Sequence, residues 1–416
     1  MTQARVMMVA FEDWYSTARL PGMLSRAGFD VALLSPPGNF AAQSRHLGRR
    51  YGLDIEAVQN GELDAVLAAI ADFVPDLLVG GDERSMQLLR FMAATRRTRN
   101  MPRLRALLRR SLGAPEAASH AGERARMLDL ANALGIDNPV HAVVRRARDA
   151  VAFGREHGWP IFLKRNHSYG GAGVELCRDA DATVEAYHAL SHHCRLLSFR
   201  GLWRRGRRRL QSVAGSRDPF AAYRGISDVC VEAAVAGRPA FYTGVALAGR
   251  SLAGVGAEVE AFHPPPTGPS TRIRVHYDAA MERAAGAMVS ALGHSGFYGV
   301  DFIRRPDGGL TFLEFNSRPA TAAHLGGLIG ADLGCALHAA LAGRTASQAV
   351  NRTEVRVALF PQDWIREPRA TDRRAFLLDV PRDDPALLGA LAVRLPAGAD
   401  WEESEMQSGV RYGKAV

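Results

Sequence analysis

The segment GVDFIRRPDGGLTFLEFNSRP, residues 299–319, places two carboxylates and an amide in a stretch otherwise made for a core. Asp307-Gly308 at its centre is a strong hairpin signal, because both residues tolerate the positive φ of a tight turn. A two-residue turn there predicts antiparallel strands with Asp301 directly across from Glu314. Side chains alternate along a strand, so Asn316 projects from the same face, while Val300, Phe302, Leu313 and Phe315 point into a core. Two carboxylates with Cβ atoms about 5 Å apart do not both stay ionised without positive charge nearby. Either one keeps a proton or a cation sits between them; the plain alternative is two solvated acids on an exposed face. The third oxygen donor at Asn316 favours the cation, and an all-oxygen set suits Mg²⁺ or Mn²⁺.

Composition supplies a second constraint. Of the 52 basic residues, 50 are arginine and only Lys164 and Lys414 are lysine. Lys414 stands near the end of the chain, whereas Lys164 is internal, retained where a planar guanidinium does not serve. It precedes a glycine-rich loop in FLKRNHSYGGAGV, residues 162–174, which lacks both the G-K-[ST] of a P-loop and a G-x-G-x-x-G. A lysine ahead of Gly170, Gly171, Ala172 and Gly173 suits a flap whose backbone N–H groups cover phosphates while the ammonium reaches their oxygens.

The chain of 416 residues has room for two or three domains. It has no apolar run long enough to span a membrane and no signal-like start, so a cytoplasmic protein without a membrane span is expected. The four cysteines are scattered and read as reduced thiols. Residues 96–110 and 195–209 each hold seven arginines and no acid; with those set aside, the formal net charge of +9 becomes −5. The basic character is local, which makes nucleic acid an unlikely partner. The second run, with Phe199 and Trp203 among its arginines, reads as a solvated insertion.

Strand and helix patterns alternate through the first hundred residues: strands at 5–10, 30–35 and 76–83, the last opening into a Gly-Asp loop, and helices at 16–27 and 61–73. The acidic loop GGDERSMQ, 80–87, follows the third strand at the end where α/β ligands bind, which makes Asp82 and Glu83 candidates for recognising an amine. Further on, 123–135 reads as a helix, 228–249 as strand, turn and strand, and 278–292 as a long helix. The domain expectation is an α/β unit over 1–112, a helical linker over 113–138, a small lobe with flap and basic insertion over 139–232, a large lobe with the metal site over 233–354, and a C-terminal extension over 355–416.

In this order the motifs resemble the ATP-grasp superfamily over about residues 1–345. WPIFLKRNHSYGGAGV is similar to its lysine and glycine-rich flap, VCVEAAVAG to its adenine-side hinge, and GFYGVDFI with LTFLEFNSRP to its metal-binding block. The resemblance implies a mixed α/β and α+β multidomain fold, with a Rossmann-like pre-ATP-grasp domain before a two-lobed ATP-grasp domain. It implies ATP and Mg²⁺ (or Mn²⁺), metal ligands at Asp301, Glu314 and Asn316, and phosphate contacts from Lys164 and Arg318. The hinge contacts fall on Glu232 and the backbone around Ala233 and Val235, and Arg272 and Arg274 lie where relatives approach phosphate or substrate. Two departures stand out: an earlier linker lysine is replaced by Arg124 or Arg126 or has no counterpart, and Arg238-Pro239 stands where many members carry a ribose-binding acid. His167 and His324 are candidates for substrate contact or packing. The implied activity is a ligase that activates a small-molecule carboxylate as an acyl phosphate and joins it to an amine, with a homodimer as a possible assembly. Carboxylase-type activation of bicarbonate and an ATP-binding module without turnover are the alternatives.

Overall fold

The computed structural model describes residues 3–114, 123–166, 173–191, 218–220, 228–264, 268–346, 350–351 and 353–399. At the N-terminus, β1 (Arg5–Val9), β2 (Asp30–Ser35), β3 (Arg49–Gly52) and β4 (Leu77–Gly80) form a wholly parallel sheet in the order β3-β2-β1-β4. Alternation along β1 sends Val6 and Met8 into one core and Met7 and Val9 into another, as a sheet covered on both faces requires. β3 has no signal in the sequence, because RRYG is a partly exposed edge strand without an apolar pattern.

A second, antiparallel sheet contains β5 (His141–Val144), β6 (Ile161–Arg165), β7 (Val174–Cys177) and β8 (Val229–Ala233) in the order β5-β8-β6-β7. The third has seven strands: β9 (Arg238–Leu247), β10 (Arg250–Phe262), β11 (Ser270–His276), β12 (Gly296–Arg304), β13 (Leu310–Asn316), β14 (Val355–Leu359) and β15 (Leu377–Asp379). Their order is β13-β12-β9-β10-β11-β14-β15. The strand, turn and strand at 228–249 are thus divided between two sheets, and residues 234–237 cross from one to the other.

The helix Ala279–Leu292 starts where Asp278 accepts hydrogen bonds from the N–H groups of Ala280 and Met281. Its Met281, Ala285 and Met288 share a core with Tyr242, Val300 and Phe302 on one face of the large sheet. On the opposite face, Phe241, Ala257, Ile273 and Val275 pack with Leu325 and Ile329. Asp301, flanked by Val300 and Phe302 and paired with Phe241, belongs to this second face.

The hairpin that carries the acids differs from the predicted two-residue turn. Its strands end at Arg304 and Leu310, and residues 305–309 connect them, closed by Arg305 N–H on the Gly309 carbonyl at 2.9 Å, with Gly308 at φ +82°. That loop pairs Arg304 with Leu310 and Phe302 with Phe312, one residue short of the predicted register. A bulge between Phe302 and Asp301 then restores it, so that Asp301 faces Glu314 and Val300 faces Phe315. Leu313 is the extra residue, which is why it stays partly exposed while Phe312 is fully buried.

Residues 355–399, read from sequence as an extension, supply the last two strands of the large sheet and bind the N-terminal domain. Arg45 N–H donates to Asp384, and Arg19 pairs with Asp379, which also accepts from His324 at 2.9 Å. Asp363, fully buried, accepts from Arg272, Arg366 and Arg373. No single helix among the described residues is long and apolar enough to cross a membrane. Asp363→Ala strips the buried Arg272 and Arg373 of a shared carboxylate and is expected to lower stability by about 3–5 kcal/mol. Denaturant unfolding measures it; a loss below about 1 kcal/mol would mean the network does not hold this segment in place.

Candidate functional site

Lys164 on β6 lies opposite Cys230 on β8, so Glu232 is its diagonal neighbour on the same face. Both side chains are buried, and Lys164 Nζ donates to Glu232 Oε2 at 2.5 Å. Glu232 Oε1 is buried with no hydrogen-bond partner. Burial first, and the Glu232 charge second, push the Cys230 thiol up to about 12, so no thiolate stands beside the lysine. Gly173 sits at φ +81°, its carbonyl accepting from Arg165 N–H; Gly170, Gly171, Ala172 and His167 lie outside the described residues, as does the run 195–209.

On the large sheet, Asn316 Nδ2 donates to Asp301 Oδ2 at 3.1 Å, which draws the amide to the acid pair. Burial, then the Glu314 charge, push the Asp301 carboxyl up to about 6, against the opposing charges of Arg318 and Arg124 and the Asn316 hydrogen bond. The two sheets meet through Arg124, at the start of the linker helix Arg124–Ala133. Its Nη1 donates to Glu314 Oε2 at 2.9 Å, its Nε reaches the Arg165 carbonyl at 3.3 Å, and its N–H binds Asn166 Oδ1 at 3.0 Å. Burial opposes the Arg124 cation, and the charges of Glu314 and Glu232 more than offset it. Of the two linker arginines, Arg126 instead pairs with Glu123 on an exposed surface.

Two carboxylates and an amide are the donor set of a hard divalent cation that brings further oxygen ligands with it. Burial first, and the Glu314 charge second, hold the Asp301 carboxyl up, and a cation there would relieve both. Among the described residues, no group of three or more His, Cys, Asp or Glu is placed to hold a metal ion.

Arg318 closes the far side. Its guanidinium lies 4.4 Å over the Trp14 ring and its Nε is 3.7 Å from Glu83 Oε2. Asp82, proposed from sequence as an amine reader, is committed elsewhere: buried at the N-cap of the helix Glu83–Ala94, it accepts from the N–H groups of Phe11, Glu12 and Ser85. Arg272 and Arg274 are not brought to the site. Strand pairing puts Arg274 in line with Glu258, Ala240 and Phe302, on the face opposite Asp301, and Arg272 shares that side of β11. Their guanidiniums serve Asp363 and Asp372, and Glu258 and Glu354. His324 packs against Asp379, and Ala233 N–H is used by Val140, whereas Val235 makes no backbone hydrogen bond among the described residues. Trp14, Gln87 and Arg90 escaped sequence reading; the polar repeat Glu83, Gln87, Arg90 at helical spacing was the available signal.

No protein-family model matches the chain, and no curated protein is similar to it in sequence. Solved structures are similar in fold. The biotin carboxylase domain of 2-oxoglutarate carboxylase from Hydrogenobacter thermophilus, solved with MgADP and bicarbonate, is 14% identical over 86% of this chain and 74% of that one, at a TM-score of 0.61. N5-carboxyaminoimidazole synthase from Aspergillus clavatus, with ADP, is 14% identical over 85% and 81%, at 0.59. An L-amino acid ligase from Bacillus licheniformis is 14% identical over 82% and 76%, at 0.56. The chain has the ATP-grasp fold that its motifs resemble.

A carboxyl whose folded pKa lies above its unfolded value of about 4 contributes stability that is present below that pH and is lost as pH rises through about 6. Asp301→Asn keeps the uncharged form. It is expected to exceed the wild type by about 1–3 kcal/mol at about pH 8 and to match it near pH 4 in metal-free unfolding. Equal stability at both pH values would show that the acid pair is already neutralised.

Proposed function

We propose that the protein is an ATP-dependent carboxylate–amine ligase. The observation that carries this is Arg124, which binds Glu314 of the acid pair and is also influenced by the charge of Glu232, the partner of Lys164, while Asn316 binds Asp301 and the Arg318 charge reaches it. The likeness in fold to enzymes solved with ADP supports a nucleotide bound among these residues. Glu232 holds the Lys164 ammonium in place, and the ammonium faces the α- and β-phosphates while Ala233 and Val235 line the adenine side. Magnesium bound by Asp301, Glu314 and Asn316 would neutralise the β- and γ-phosphates. Arg318, backed by Trp14, stabilises charge on the phosphoryl group in flight.

The γ-phosphoryl group passes to a carboxylate oxygen of the substrate, and ADP departs with the electrons of the broken P–O bond. The amine nitrogen then attacks the acyl carbon, the carbon–oxygen bond to phosphate breaks, and the ammonium sheds its proton to solvent. No protein nucleophile takes part, in keeping with the raised Cys230 thiol. Bicarbonate is the alternative carboxylate, favoured by the likeness to a domain solved with that anion. A homodimer is compatible with the same relative, which is a domain dimer.

ADP release measured with pooled carboxylates, amines and bicarbonate separates the readings. Ligase activity gives ADP only when acid and amine are both present; bicarbonate alone sufficing would favour carboxylation, and tight ATP binding with no ADP from any pool would favour a binding module. Lys164→Arg, a swap the rest of the composition tolerates, is expected to cut kcat/KM by about 10²–10³-fold, since a guanidinium does not fit the buried place beside Glu232.

A further inference from the structure

Beside Arg318 the structure leaves a matched set of unmet polar atoms. Glu83 stands between two guanidiniums, yet its oxygens remain 3.7 Å from Arg318 Nε and 3.9 Å from Arg90 Nη1, and neither accepts a hydrogen bond among the described residues. Charge-assisted bonds ordinarily close to about 2.8 Å, so this carboxylate is held in position without being saturated. One turn along the same helix face, Gln87 Oε1 is buried with no hydrogen-bond partner. Across from them Arg318 Nε is likewise buried and unpartnered, with Trp14 stacked against its guanidinium. Arg90 is braced by a hydrogen bond to Ser317, which follows β13 and precedes Arg318. A buried donor or acceptor left without a partner calls for an explanation, such as a bound molecule or water that meets it.

We infer that these residues form a subsite for an α-amino acid. An ammonium carries three N–H donors, and the two oxygens of Glu83 with Gln87 Oε1 offer three acceptors. The substrate carboxylate faces Arg318, whose own charge reaches Asp301. Arg318 and Glu83 adjoin, 3.7 Å apart, so a ligand that takes both carries a carboxylate and an ammonium close together, as an α-amino acid does. Asp82 supports the arrangement as a positioning residue, since its cap fixes the helix start from which Glu83 projects. Calling this carboxylate the one that becomes activated rests on the ligase reading; the binding of the amino acid does not.

The full chain is titrated, without nucleotide, with L-alanine, L-leucine, L-glutamate and L-phenylalanine, and with propionate, isocaproate, glutarate and hydrocinnamate, their counterparts lacking the amine. Calorimetry or ligand-observed NMR is expected to show at least one amino acid binding about tenfold or more tightly than its counterpart, because the counterpart leaves Glu83 and Gln87 unmet. Glu83→Gln is expected to erase that preference and Gln87→Met to reduce it. Equal affinity within every pair, no binding of any amino acid, or a preference that survives both substitutions would overturn the inference. The wild-type comparison decides even if a variant fails to fold. Amino-acid binding that needs Glu83, with no ADP formed from any pair, would uphold the subsite and sink the ligase reading. With a separate amine supplied to every reaction, ADP formed as readily from the counterparts as from the amino acids would do the reverse.

Discussion

Two carboxylates facing each other across one strand pair demand positive charge, and the site is organised around supplying it. Asp301 faces Glu314, and burial followed by the Glu314 charge raises the Asp301 carboxyl. Arg124 answers from the linker helix by binding Glu314 directly, and Arg318 answers from the end of the same hairpin. The Lys164–Glu232 pair is a separate, internally balanced unit on the other sheet, and Arg124 lies within reach of its negative member. Electrostatics therefore ties together three segments that the chain keeps far apart: the linker, the small sheet and the large sheet.

The same charge chemistry builds the frame, in a different way. Arg272, Arg366 and Arg373 converge on the fully buried Asp363, and Arg19 with His324 converges on Asp379. These pairs lock residues 355–399 to the large sheet and the N-terminal domain, although Gln362 Oε1 and Arg373 Nη1 there are buried without hydrogen-bond partners. Unmatched groups stand at the candidate site as well. Glu232 Oε1, Gln87 Oε1 and Arg318 Nε have no partners, and Glu83 makes only long contacts.

Much of the fold was legible because it is written in local periodicity. β1, β2, β4, β6 and the helix Ala279–Leu292 lie where apolar spacing and capping residues place them. β3 was hidden by its polar edge sequence, and β10 by glycines and alanines that give RSLAGVGAEVEAF no clear alternation. The acid pair was read in the right register for an incomplete reason: a longer loop shortens the pairing by one residue and the bulge at Leu313 returns it. Turn chemistry and core burial agree on the outcome because a one-residue slip would have turned Val300 and Phe315 out of the core.

Sequence alone determined the elements whose cause is local: the spacing of Asp301, Glu314 and Asn316 on one strand face, and the single internal lysine ahead of a glycine-rich loop. Those follow from the two-residue period of a strand and the chemistry of individual side chains. Only the tertiary structure decided which arginines serve the site. Arg124 was indistinguishable from Arg126 until the linker helix turned one toward Glu314 and the other toward Glu123. Arg272 and Arg274 were plausible until strand pairing put them on the opposite face. An arginine's role is set by the partner it meets, and for Arg124 and Arg272 those partners lie on other elements, 190 and 91 residues away, where no local pattern reaches.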